Sequence, residues 1–190
     1  MGKILAINGS PRAGGNTYQM LFAVLSECER AGHETELFHA GGRTVSGCLG
    51  CGYCRRNPGK CSRADWVDGE LYQKMAAADA IVIGSPTYFS DLTAETKAIL
   101  DRTGPMAGGD GRRFSRKIGA AVSAVRRAGG IHTLDSINHF FQINDMVMPG
   151  SSYWNMSLAL FEGDFERDEE GGRTMTRLGE NIAWLVERLR

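Results

Sequence analysis

The chain has 190 residues, 42% of them hydrophobic: enough to bury one substantial core and too few for two comfortable domains, so residues 1–190 read as a single domain. Its 22 basic residues balance 22 acidic ones, leaving no global field to recruit nucleic acid or an anionic membrane surface. No apolar run reaches the length of a membrane span, and Met1-Gly2-Lys3 leads into Ile4-Leu5-Ala6-Ile7 with no signal-peptide pattern, so the expectation is a cytoplasmic protein with small-molecule partners.

In chain order, Ile4 to Ile7 is a short apolar strand that stops at Asn8-Gly9-Ser10-Pro11. From Thr17 the residues Met20, Leu21, Val24, Leu25 and Cys28 recur at helical spacing, and Gly32 ends the helix. Thr35 to Ala40 is the second strand, and Trp66 to Ala77 is helical after a cysteine-rich loop. Ala80-Ile81-Val82-Ile83-Gly84 lacks polar alternation, the mark of a parallel strand covered on both faces. A helix over Thr93 to Arg102, a strand over Lys117 to Ala124, a helix over Ile131 to Phe141 and a fifth strand over Asp145 to Met148 follow. In the last helix Met175, Leu178, Ile182, Leu185 and Leu189 form a stripe that packs on the sheet. This alternation predicts an α/β doubly wound parallel sheet with its ligand outside the carboxyl ends of the strands.

The loop Gly9-Ser10-Pro11-Arg12-Ala13-Gly14-Gly15-Asn16-Thr17 joins the first strand to the first helix. Backbone N–H groups there favour an anion, Ser10 and Thr17 add hydroxyls, Asn16 an amide, and Arg12 a positive charge. Neither the dinucleotide fingerprint nor the Walker A pattern is present, which points away from a tightly held NAD and from ATP. After the third strand, Pro86-Thr87-Tyr88-Phe89 supplies the aromatic and small polar groups that a flavin ring needs. The fourth strand leads into Ser123-Ala124-Val125-Arg126-Arg127-Ala128-Gly129-Gly130.

Gly9-Ser10-Pro11-Arg12 with Gly15-Asn16-Thr17 resembles the FMN-phosphate loop of the NADPH-dependent FMN reductases, a family of the flavodoxin-like superfamily. The stretch Gly84 to Ser90 with Thr96 to Thr103 resembles that family's isoalloxazine loop and following helix, and the segment from Ser123 to Gly130 falls where its third ring loop lies. The resemblance spans roughly residues 3–148 and implies strand order 2-1-3-4-5 and an FMN held by Ser10, Arg12, Gly15, Asn16, Thr17, Pro86, Thr87, Tyr88, Phe89, Ser123, Gly129 and Gly130. It also implies NAD(P)H as hydride donor, a small acceptor such as a quinone or flavin, and a homodimer or dimer of dimers. Arg126 and Arg127 depart from the small residues expected at the third loop and are assigned to solvent or to a pyridine nucleotide. No side chain is assigned as an acid or base, because the flavin carries the chemistry.

Cys48, Cys51, Cys54 and Cys61 fall within one loop. Four thiolates satisfy either zinc or an iron-sulfur cluster, and the compact spacing resembles the cysteine motif of the iron-sulfur flavoproteins, which implies a [4Fe-4S] cluster on these four residues. Cysteine-rich loops of similar pattern also recur in flavodoxin-like reductases that need not carry a cluster, so two readings stand: an NAD(P)H-dependent FMN oxidoreductase, or an iron-sulfur flavoprotein that exchanges single electrons with a carrier. A third, a non-enzymatic FMN-binding redox sensor, predicts flavin without turnover. Cys28 belongs to the core, His33, His39, His132 and His139 take surface or structural roles, and the acidic run Gly163 to Glu170 is expected to be a solvated loop.

Overall fold

A computed structural model describes residues 1–189. Five parallel strands, β1 (Lys3–Asn8), β2 (Glu34–His39), β3 (Ala80–Pro86), β4 (Ile118–Val125) and β5 (Met156–Leu158), form one sheet in the order 2-1-3-4-5. The connections are α1 (Asn16–Arg30), the single turn α2 (Tyr53–Arg56), α3 (Tyr72–Ala77), α4 (Ala94–Gly109) and α5 (Gly130–Ile143), with α6 (Glu169–Leu189) last. A π turn over Val67–Leu71 leads into α3, so the helix expected from Trp66 opens wide before it tightens.

Period-two alternation divides the core. In β1, Leu5 and Ile7 point to one face with Ile81, Ile83 and the apolar sides of α3, α4 and α5, while Ile4 and Ala6 point to the other with Met20, Leu21, Val24 and Met175, Leu178 and Ile182 of α6. Every strand of the middle of the sheet is thus covered twice, which explains why β1, β3 and β4 read as unbroken apolar runs. On α6 the buried stripe continues through Val186, leaving Leu189 at the surface. Cys28 is wholly buried, and burial pushes its thiol up to about 12.

Two expectations are corrected. The fifth strand is Met156–Leu158, paired with Ser123–Val125, and not Asp145–Met148. Asp145 turns the chain at φ 60°, and Val147 makes a single parallel bridge to Ile118 before Pro149 and Gly150 lead the chain off the edge. The acidic run is also not a solvated loop. It forms a 3₁₀ turn over Asp164–Arg167 with Phe165 buried. Asp164 accepts from the backbone N–H groups of Leu160 (2.9 Å) and Phe161 (2.7 Å), and these donors hold its carboxyl below the usual carboxylate range. Asp168 accepts from the Ser157 hydroxyl (2.7 Å) and the Gly171 N–H (2.9 Å), fastening α6 to β5.

Candidate functional site

The strand order reverses between β1 and β3, and a cavity of about 170 Å³ opens there, lined by Ser10, Arg12, Asn16, Thr17, Pro86, Thr87, Tyr88, Ala124, Arg126, Ala159 and Leu160. Its floor is the first turn of α1. Gly15 stands at the N-cap and offers no capping side chain, and the first turn carries no acidic residue, so the N–H groups of that turn keep their affinity for an anion from outside. The Arg12 N–H donates to Ser10 Oγ (3.2 Å), curling the loop on itself while leaving the hydroxyl proton of Ser10 uncommitted by that bond.

Close approach of neighbouring backbone fixes this loop. A Cβ on Gly41 would fall 2.1 Å from the Ser10 carbonyl oxygen, and the Gly41 N–H donates to Asn8 O (2.9 Å), so the segment after β2 presses directly on the loop. From the other side Thr93, the N-cap of α4, accepts from the Thr96 N–H and donates its hydroxyl to Gly9 O (3.0 Å). Asn16 is partly committed: its Nδ2 donates to Phe161 O (2.8 Å) and its Oδ1 accepts from the Phe165 N–H (3.2 Å). It therefore ties the segment after β5 over the loop while still lining the cavity.

The ring-side loop starts at Pro86. The Thr87 N–H donates to Ala124 O (2.9 Å), and its hydroxyl lies 3.1 Å from Ser123 Oγ and 2.9 Å from Thr133 Oγ1. Ser123 and Gly129 consequently stand behind Thr87 and brace it, and neither they nor Gly130 line the cavity: Ser123 is fully buried, a Cβ on Gly129 would meet the Thr87 methyl group, and one on Gly130 would meet Met156 and Val125 instead. Gly15 likewise serves through its backbone. Tyr88 is half exposed and lines the cavity, whereas Phe89 is fully exposed and is not among the lining residues. Ala159 and Leu160 were missed because the fifth strand was placed too early, and Arg126, assigned to solvent or to a nucleotide, lines the opening. His39 Nδ1 lies 3.2 Å from Asn8 Nδ2, His33 accepts from the Gly2 N–H (3.1 Å), and His132 and His139 are on the outer side of α5, all outside this cavity.

Two larger depressions exist. One of about 990 Å³ lies between α4 and α5, and one of about 660 Å³ lies beside the gap between Val147 and β5. Neither gathers loop donors at the strand carboxyl ends, so the smaller cavity at the switch point is the candidate site.

All four loop cysteines meet at a second place. Cys48, Cys51, Cys54 and Cys61 line one small cavity of about 20 Å³, closed by Arg63, Arg102, Pro105 and Met106. The helix-helix approach that seats it needs Gly109, where a Cβ would fall 2.4 Å from Cys54 O. The Ser62 hydroxyl, 3.2 Å from Cys51 Sγ, draws that thiol below its ordinary value. Among the described residues no three His, Cys, Asp or Glu side chains are close enough to share one metal ion. Four thiolates are a donor set that zinc and an iron-sulfur cluster both take. Arg102 is buried to 1% exposure and grips Asp65 through two bonds, Nη1 to Oδ2 at 2.7 Å and Nη2 to Oδ1 at 2.8 Å. Burial would raise the Asp65 carboxyl, yet Arg102 outweighs it and holds the group below the usual range. Sequence reasoning missed Arg102, although its place three residues after Ile99 and four before Met106 put a charge on a buried helical stripe.

A family model described as NADPH-dependent FMN reductase matches residues 2–160. An iron-sulfur flavoprotein of Methanocaldococcus jannaschii is 34% identical, covering 97% of this chain and 97% of its own. An iron-sulfur flavoprotein of Methanosarcina thermophila is 30% identical over 97% of this chain and 95% of that one. In fold, a flavodoxin, WrbA-like protein from Agrobacterium tumefaciens superposes with a TM-score of 0.69 over the whole of both chains at 16% identity. The chain therefore belongs to the NADPH-dependent FMN reductase family, in a flavodoxin-like fold, and aligns nearly end to end with iron-sulfur flavoproteins.

Proposed function

We propose that this chain is an FMN-dependent oxidoreductase that pairs its flavin with a [4Fe-4S] cluster on Cys48, Cys51, Cys54 and Cys61 and exchanges electrons with a separate carrier. The observation that carries this reading is the convergence of all four thiols on one cavity. When bound, FMN supplies one- and two-electron chemistry and the cluster one-electron chemistry. The chain's own part is binding and orientation. The first turn of α1, Ser10, Thr17 and Arg12 hold the phosphate, and Thr87, braced by Ser123 and Thr133, sets the ring-side loop. Replacing Cys54 by Ser should abolish iron and acid-labile sulfide while leaving FMN binding intact; a variant with undiminished iron would contradict the assignment.

A specific observation favours a second reading, in which NAD(P)H supplies the electrons and a small acceptor such as a quinone takes them: Arg126 lines the opening, where a cation beyond the one assigned to the FMN phosphate suits a dinucleotide's phosphate. On this reading anaerobic NADPH bleaches the flavin bands and Arg126→Ala raises KM for NADPH about tenfold with kcat little changed. An unchanged KM would remove Arg126 from that role. The exposed Tyr88 at the cavity and its exposed neighbour Phe89 fit a homodimer in which a second subunit covers the flavin, and sedimentation of the FMN-loaded protein as a monomer would count against it. Among the described residues no helix is long and apolar enough to cross a membrane.

A further inference from the structure

The buried polar atoms without a hydrogen-bond partner are few, and they are unevenly distributed. Two of them, Arg102 Nε and Arg63 Nε, belong to arginines that line the four-cysteine cavity. Burying a guanidinium N–H without an acceptor is destabilising, so such a donor in a dry site asks for a ligand.

Arg102 is the better held of the two. Its Nη1 donates to Asp65 Oδ2 and to Ser46 O (3.5 Å), and its Nη2 to Asp65 Oδ1 and to Arg63 O (2.8 Å). These contacts reach the chain two residues before Cys48 and two residues after Cys61, so a single side chain clasps both ends of the cysteine loop. They also fix the plane of the guanidinium, leaving Nε–H as its uncommitted donor. Cys61 lines the same cavity as that guanidinium.

We propose that Arg102 tunes the cluster: its Nε–H donates to the sulfur of Cys61, Asp65 holds the guanidinium in place, and the bond raises the cluster's reduction potential by stabilising the more negative, reduced form. This rests on the cluster reading above. Hydrogen bonds to ligand sulfurs and local charge are among the factors that set such potentials, and in a water-poor site one such bond is stronger than it would be in solvent.

The test is a spectroscopically monitored redox titration of anaerobically purified holoprotein, reading the cluster and FMN midpoints together. Arg102→Lys keeps a cation for Asp65 and lacks Nε–H. It should move the cluster midpoint downward by about tenfold in the oxidised-to-reduced ratio at fixed potential, about 59 mV for one electron, with the FMN midpoint unmoved. Asp65→Asn keeps the donor and removes the compensating charge, and should move the cluster midpoint upward; this variant decides the matter if the lysine protein assembles no cluster. A loop clasp with no electronic role predicts lowered stability or cluster content and an unshifted midpoint in both variants, which would overturn the inference alone. Wild-type protein without iron and sulfide would overturn the cluster reading, and this inference with it.

Discussion

At the scale of single residues, environment sorts chemically identical groups. Cys28 lies wholly buried on α1 with its thiol raised to about 12, whereas Cys51 is exposed and its thiol is lowered by the Ser62 hydroxyl. Because the thiolate is the nucleophile, protein stripped of any cluster should alkylate at Cys51 within minutes of iodoacetamide treatment at pH 7.5 while Cys28 stays unmodified until denaturation. Peptide mass spectrometry reads this directly, and early labelling of Cys28 would contradict its placement. Arg12 carries the charge at the phosphate loop. Removing one charge-assisted bond is worth about 1.5–3 kcal/mol, so Arg12→Ala should weaken FMN retention roughly 10- to 100-fold by fluorescence titration. The anion loop was legible because its glycine, hydroxyl and amide residues sit at a strand-to-helix junction. Arg102 was not, because nothing local says that one charged residue on a helix finds its carboxylate 37 positions upstream.

At the scale of elements, the loops are set by what leans on them. The Gly41 backbone and the Thr93 cap hold the phosphate loop from two sides, so Gly41→Ala should lower FMN affinity more than any exposed loop substitution, since its methyl group must displace the Ser10 carbonyl. Equilibrium dialysis against FMN measures it; native affinity in a folded Gly41→Ala protein would refute the close approach. Thr93→Ala should cost about 1 kcal/mol of stability as a lost cap, read by urea unfolding. The fifth strand was misplaced for a physical reason. Val147 does bridge to Ile118, so the local apolar pattern is real, but Pro149 interrupts the edge and only Met156–Leu158 continues the ladder. The acidic run misled similarly: its charge count suggested solvent, while Asp164 and Asp168 are spent on backbone N–H groups and Phe165 is buried.

At the scale of the whole molecule, the fold was legible because β1, β3 and β4 are buried on both faces and their apolar runs announce it. Assembly of the cysteine cavity was less so, since it depends on α2 packing against α4 across a span no periodicity connects. Stability should share the pH dependence of its committed carboxylates. Asp65 and Asp164 are both held below the ordinary range in the folded protein, so their contributions are present above about pH 4 and fade as pH falls through the lowered folded values. Asp164→Asn should therefore unfold at lower urea than the parent at pH 7 and approach it at pH 3; a gap that widens on acidification would contradict the assignment.

The central claim, a flavin and a four-iron cluster in one flavodoxin-like chain, is tested most directly by the visible spectrum of anaerobically purified protein with iron and acid-labile sulfide measured on the same sample. The expected result is flavin bands superposed on a broad iron-sulfur absorbance, with four irons and four sulfides per FMN as the [4Fe-4S] formula requires. Flavin bands alone, with no iron after anaerobic reconstitution, would leave an FMN oxidoreductase with four free thiols and contradict the cluster; no flavin after added FMN would contradict the site itself.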